Sequence, residues 1–262
     1  MVQHILVAHD LSQEADIALR RGAQLAHQMS AHLSLVHVLA QAQDETQARA
    51  ALQKRLQANA LGDLPCWIRQ GSAVEEVLTQ ARGLEAALLV LGQHHRQSPR
   101  GFAGTTLERI LLGSDTPLLL VIRNNAQPYT RALAALDFSG SADRALHMAR
   151  RLLPDGAELH ALHIHETTEL HATSDDELAL QRSLFEQLLE DNRQHWPVRT
   201  VQMNHSLVAG ERGRRLEEAV AQRQPQLLAM GASRRAQMSS ALLGSLTREV
   251  LQQPPCDILV AP

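Results

Sequence analysis

The sequence predicts an α/β protein: two doubly wound, mostly parallel five-stranded sheets, each with helices on both faces. Three observations carry that prediction. Short apolar runs alternate with amphipathic stretches along the whole chain. The runs are continuously apolar, as strands buried on both faces must be. The pattern also occurs twice. Ile5-Leu-Val-Ala-His-Asp10-Leu-Ser12 returns as Leu133-Ala-Ala-Leu-Asp137-Phe-Ser139. Ala15, Ala18, Leu19, Gly22, Leu25 and Ala26 return 127 residues on (137 − 10, 153 − 26) as Ala142, Ala145, Leu146, Ala149, Leu152 and Leu153. Gly71 and Gly92 return as Gly210 and Gly231 at an offset of 139, and Gly104-Thr105 as Gly244-Ser245 at 140. A period this long marks a duplicated domain, since solenoid units repeat every ~20–50 residues. The expected domains are 1–124 and 129–262, joined by the short polar segment Asn124-Asn-Ala-Gln-Pro128.

The first half opens with a buried strand at Ile5–Ala8 and a helix from Ser12 to Met29, with Ser12 as N-cap. His32–Leu39 is a second strand, Thr46–Ala60 a helix without clear start signals, and Cys66–Arg69 a short third strand. Ser72 and Glu75 read as a capping box. The helix that follows carries Val74, Val77, Leu78 and Ala81 on one stripe. Ala86–Leu91 is the fourth strand, a helix falls near Gly104–Leu112, and Pro117–Ile122 is the fifth strand. In the second half, strands are expected near 133–136, 158–164, 198–203, 226–230 and 256–260. Helices are expected at 139–153, 174–192 (capped by Ser174 with Glu177), 211–223 and 241–252.

With 44% hydrophobic but only 2% aromatic residues, both cores must be aliphatic. A net charge of −3 and few aromatic rings to stack bases argue against a nucleic-acid partner. Cys66 and Cys256 form neither a metal spacing nor a disulfide framework, and are expected as buried free thiols. No apolar run reaches the ~20 residues of a membrane span, and the start is no signal peptide, so a soluble cytoplasmic protein without a membrane partner is expected.

In doubly wound sheets, ligands bind at the carboxyl ends of strands where the strand order reverses. That places Asp10 and Asp137 after each first strand, and Gly92 and Gly231 after each fourth, at the expected site. Glycine after a strand allows close backbone approach. Gly-Ser at a helix start offers free amides and a hydroxyl where the helix dipole favours anions. Together they make a phosphate cradle, and a carboxylate at the first strand end suits ribose hydroxyls or a base amino group.

The order of elements, Asp-x-Ser after the first strand, and Gly…Gly-Ser/Thr before the last strand resemble the universal stress protein family, twice over nearly the whole chain. The resemblance implies a Rossmann-like fold and a protein that binds and regulates rather than an enzyme. It also implies pairing of last strands, here 117–122 with 256–260, so that the two halves form an internal pseudo-dimer; a homodimer of tandem chains is a further expectation. The nucleotide-binding branch of the family carries G-x2-G-x9-G-[S/T], which grips the phosphates of ATP; the other branch lacks it. In the second half Gly231, Gly244 and Ser245 fit, and Arg234 stands at the middle glycine. In the first half Gly92, Gly104 and Thr105 fit, but His95 replaces the middle glycine and the gap that follows holds eight residues. By the same resemblance Val38 with Leu91, and Ile164 with Met230, line an adenine. Arg234 supplies a guanidinium where an amide would lie. ATP or a related nucleotide is therefore expected in at least one half, the second favoured. The alternatives are an interaction or chaperone-like module with degenerate sites and, third, a weak ATP hydrolase. No nucleophile–base–acid arrangement is readable. His163 and His165 share a strand face and, with Glu166, are metal ligands by type. His37 matches His163 between the halves, which points to a role in the fold, and no metal is expected.

Overall fold

The computed structural model describes residues 3–39, 44–93, 105–167, 174–194, 201–232, 234–237 and 240–262, with side chains excepted at 194, 234–237 and 240–242. The first half runs β1 (His4–Ala8), α1 (Gln13–Met29), β2 (His32–Leu39), α2 (Glu45–Ala58), β3 (Cys66–Gln70), α3 (Ala73–Gly83), β4 (Leu88–Gly92), α4 (Thr106–Gly113) and β5 (Leu118–Val121). The second runs β6 (Arg131–Leu136), α5 (Gly140–Leu152), β7 (Glu158–Glu166), α6 (Asp175–Gln194), β8 (Gln202–Gly210), α7 (Arg212–Arg223), β9 (Leu227–Gly231), β10 (Arg234–Gln237), β11 (Ser240–Leu243), α8 (Ser245–Gln252) and β12 (Asp257–Ala261).

The two five-stranded sheets fuse into one of ten strands, ordered β3-β2-β1-β4-β5-β12-β9-β6-β7-β8. Every neighbouring pair is parallel except β5 with β12, which are antiparallel. Each half therefore repeats one strand order, and the expected pairing of last strands closes within the chain. The core lies in two layers. On one face α1, α2, α5 and α6 bury Leu19, Leu25, Leu52, Leu146 and Phe185. On the other, α3, α4, α7 and α8 bury Val77, Ile110, Leu216 and Val250. The stripe Val74, Val77, Leu78, Ala81 is buried as its spacing requires.

Helix starts follow their caps, with differences. Ser12 and Ser139 accept from Ala15 N and Ala142 N, both at 3.1 Å. Ser174 accepts from Glu177 N. Ser72 occupies the N-cap of α3 but makes no side-chain capping bond, so the expected capping box does not form. The start of α2 is set by Asp44, whose carboxylate accepts from Thr46 N at 2.8 Å. The third strand of the second half lies later than expected, at Gln202–Gly210. The helix expected from 241 begins at Ser245, because Ser240–Leu243 pairs with Arg234–Gln237 as a separate antiparallel ribbon.

Candidate functional site

The site is built at the carboxyl ends of the central strands. Asp10 and Asp137 follow β1 and β6, and each organises its own turn. The Oδ1 of Asp10 accepts from Ser12 N (3.0 Å) and Ser12 Oγ (2.5 Å), and that of Asp137 from Ser139 N (3.1 Å) and Ser139 Oγ (2.5 Å). The intervening residues are forced into the left-handed region, Leu11 at φ 66° and Phe138 at φ 61°. Strain of this kind gathers where the surroundings over-determine the backbone. Both carboxylates stay exposed.

Gly92 and Gly231 are glycine for a reason other than ligand approach. A Cβ on Gly92 would sit 2.4 Å from Glu14 O, and one on Gly231 would sit 2.6 Å from Ala142 N. The first turns of α1 and α5 press on these strand ends, so helix packing already demands the missing side chain.

In the second half six expected residues, Asp137, Ile164, Met230, Gly231, Gly244 and Ser245, line one cleft. Arg234 begins β10, and its side chain lies outside the described atoms. The cleft adds two polar groups that the motif did not single out. Arg212, the first residue of α7, pairs with Glu166 at 2.8 Å, both about half exposed. Thr247 donates its hydroxyl to Gly231 O at 3.2 Å, tying α8 to the end of β9. Gly244 is the N-cap of α8 and gives its amides no side-chain acceptor. The cleft therefore offers an apolar wall of Ile164 and Met230, a carboxylate, a cation, a hydroxyl and a helix N-terminus. Arg212 was legible only as an asymmetry, since its counterpart in the first half (212 − 139) is Ala73.

The first half places Val38, Leu91 and Gly92 in the equivalent register: Ala8 lies between Val36 and Leu91 as Ala135 lies between Leu162 and Met230. Thr105 differs from Ser245. It is the N-cap of α4, and its hydroxyl oxygen accepts from Glu108 N at 3.1 Å, whereas Ser245 lies inside α8. Gly104 and His95 lie outside the described residues.

Three histidines, His9, His37 and His163, hold the strand ends together. His37 and His163 each donate from Nδ1 to a strand-end carbonyl, His9 O at 2.7 Å and Leu136 O at 2.8 Å. A carbonyl only accepts, so Nδ1 carries the proton in both. His9 accepts from Leu11 N at Nδ1 and faces Asp16 Oδ1 across 3.1 Å at Nε2, and Arg55 closes on the same Asp16. Burial lowers the pKa of His9 and of His163 despite these partners. Among the described residues no group of three or more His, Cys, Asp or Glu is placed to hold a metal. Of the two cysteines expected as buried free thiols, Cys256 is buried but Cys66 is only half-buried. Burial raises the Cys256 thiol to about 12.

The model of the universal stress protein family matches residues 1–122 and again 128–262. The universal stress protein A homolog of Haemophilus ducreyi is 60% identical over 38 residues, 14% of this chain and 27% of that protein. That match thus spans about a quarter of the relative's length. A solved universal stress protein from Archaeoglobus fulgidus shares the fold at TM-score 0.72 and 18% identity, over 98% of this chain and 97% of its own. A functionally unknown protein from Pseudomonas aeruginosa PAO1 does so at TM-score 0.62 and 20% identity, over 99% and 92%. No described helix is long and apolar enough to cross a membrane.

Proposed function

Because the chain belongs to the universal stress protein family over both halves, we propose that it is a cytoplasmic stress-response regulator that binds ATP or a related nucleotide in its second half. One observation carries the reading: Asp137, Ile164, Met230, Gly231, Gly244 and Ser245, separated by up to 108 residues of sequence (245 − 137), converge on one cleft. The chemistry of the cleft suits such a ligand. Ile164 and Met230 give a flat base an apolar wall. The Asp137 carboxylate accepts from ribose hydroxyls or a base amino group. The N-terminus of α8, with the Ser245 hydroxyl, faces phosphate. Arg212 adds a guanidinium that exchanges Glu166 for phosphate oxygens. Among the described residues that line the cleft no nucleophile is paired with a base, and the reading is accordingly binding rather than turnover.

The test is a thermal-shift titration with ATP. A ligand that binds only the native state raises stability by about 2.7 kcal/mol at 100 times its Kd. The ATP-induced shift is expected to fall sharply in Asp137→Ala and to persist in Asp10→Ala. Each substitution removes the same turn carboxylate, so the ligand-induced difference, not the bare midpoint, is compared. No shift in the unchanged protein at millimolar ATP rejects nucleotide binding; equal losses in both variants reject the preference for the second half.

A second reading, an interaction module without a ligand, draws on exposed apolar side chains. Leu180 (59% exposed) and Leu184 (45%) lie one turn apart on α6, and Phe138 (41%) adjoins Asp137. Nucleotide co-purifying with the protein would remove that reading.

A further inference from the structure

The two halves meet across a local two-fold axis. In the antiparallel joint Leu119 lies opposite Leu259, Leu118 opposite Val260 and Leu120 opposite Ile258. Leu119 and Leu259 are equivalent residues at the 140 offset (259 − 119), and the flanking pairs exchange when the halves are exchanged (258 − 118, 260 − 120). The axis therefore passes between Leu119 and Leu259. A residue near such an axis meets its own equivalent, as in any isologous contact. Glu108 on α4 and Arg248 on α8 are equivalents at that offset (248 − 108), and they do meet: Arg248 Nη2 donates to Glu108 Oε1 at 2.9 Å. The Glu108 side chain is 5% exposed and that of Arg248 31%.

We propose that this pair makes each half selective for the other. Joining two first halves would set Glu108 against Glu108, and joining two second halves would set Arg248 against Arg248. Both bring like charges together in a largely dry place; only the mixed joint pairs opposite charges. Specificity is a difference between affinities, and a clash against the wrong partner supplies it as well as a contact with the right one. The partner that fits the last-strand edge of one half is thus the unlike half, and the edge closes within the chain.

A second cluster supports this independently. Asp257 Oδ1 accepts from Ile122 N and Arg123 N, both at 2.9 Å. Its Oδ2 accepts from Tyr129 OH at 2.6 Å and faces Arg21 Nε at 3.5 Å. The equivalents of Asp257 and Arg21 are Pro117 (257 − 140) and Met148 (21 + 127), which cannot form these bonds. The network exists only where β12 of the second half lies against the first.

The test uses the full chain carrying Glu108→Arg, Arg248→Glu, or both, refolded from denaturant, then followed by thermal unfolding and by light scattering on a sizing column. In either single reversal every joint sets like charges together and none is preferred. Each is expected to lose about 5 °C in midpoint and to refold into species of mixed mass. The double reversal is expected to recover the mass profile of the unchanged chain and most of its midpoint. Single reversals that match the unchanged chain in both readouts overturn the proposal, as does a double reversal no better than its parts. Should a reversal fail to fold, the cycle of Glu108→Gln, Arg248→Gln and both is measured instead; additive losses overturn the proposal and coupled losses support it.

Discussion

His160 shows how a single side chain sets a pH limit. It sits on β7 with Nε2 against Ser206 Oγ at 2.8 Å, while Nδ1 is buried without a partner. Burial first, then Arg223 and His205, lower its pKa from 6.5 to about 4. His9 and His163 move in the same direction, burial again the largest cause. The folded protein therefore binds fewer protons than the unfolded chain between the two pKa values. The contribution of these histidines to stability is complete above pH 6.5 and is lost as the pH drops toward 4. Denaturant unfolding at pH 7 and pH 5 should show the loss, and His160→Gln, which keeps a hydrogen-bonding amide for Ser206, should flatten it. A slope unchanged in that variant would assign the loss to other groups. At the same scale, Asp137 shows what the sequence could and could not say. Its place at a strand end was readable, and so was the start of the next helix at Ser139. That one carboxylate oxygen holds both the amide and the hydroxyl of that serine was not, because the bonds depend on Phe138 taking a left-handed backbone.

At the scale of elements, the contact between strand end and helix start explains the repeated glycine. The first turns of α1 and α5 fill the space where a Cβ on Gly92 or Gly231 would stand, at 2.4 and 2.6 Å from backbone atoms. Backbone cannot yield as a flexible side chain does. Gly92→Ala and Gly231→Ala should each destabilise the protein by about 1–3 kcal/mol, as overpacking does, read as a lower denaturant midpoint at unchanged m-value. Substitution without loss would show that the helices can retreat. The strand runs and the helix stripes were legible because each is a matter of residues within a turn or two of one another. The ribbon of β10 and β11 was not legible. Its sequence carries no strong alternation, and a glycine-to-glycine span already read as a ligand loop. The start of α2 at Asp44 was legible and not read: Asp44 caps it and Gln47 stands three residues on, the spacing of a capping box.

At the scale of the molecule, one buried network ties the joint to the linker. Arg21 is 2% exposed, lies 4.1 Å above the Tyr129 ring, and donates to the carbonyls of Gln127 (2.6 Å) and Asn125. Tyr129 and two backbone amides satisfy Asp257, which is wholly buried. A buried carboxylate that loses a partner keeps its desolvation penalty. Tyr129→Phe should therefore lower stability by about 1–3 kcal/mol, although it removes only one hydroxyl. If the network couples the halves, the unchanged protein should unfold in one step when followed by probes placed in each. Separate transitions in the unchanged protein would show that the halves unfold independently.

By itself the sequence determined the α/β class, the duplication, the order of the helices and of the ten strands of the main sheet along the chain, and the helix faces that go inward. These rest on apolar spacing and burial, which short stretches of chain express on their own. It also brought Asp137, Gly231 and Gly244 to the right end of the sheet, because strand order fixes where strand ends point. Only the tertiary structure decided the register in which the two last strands meet, that Arg212 and Thr247 join the cleft, and that Glu108 meets Arg248. Those contacts link residues far apart in the chain, and no local pattern encodes them: they follow from how two folded halves fit across an axis.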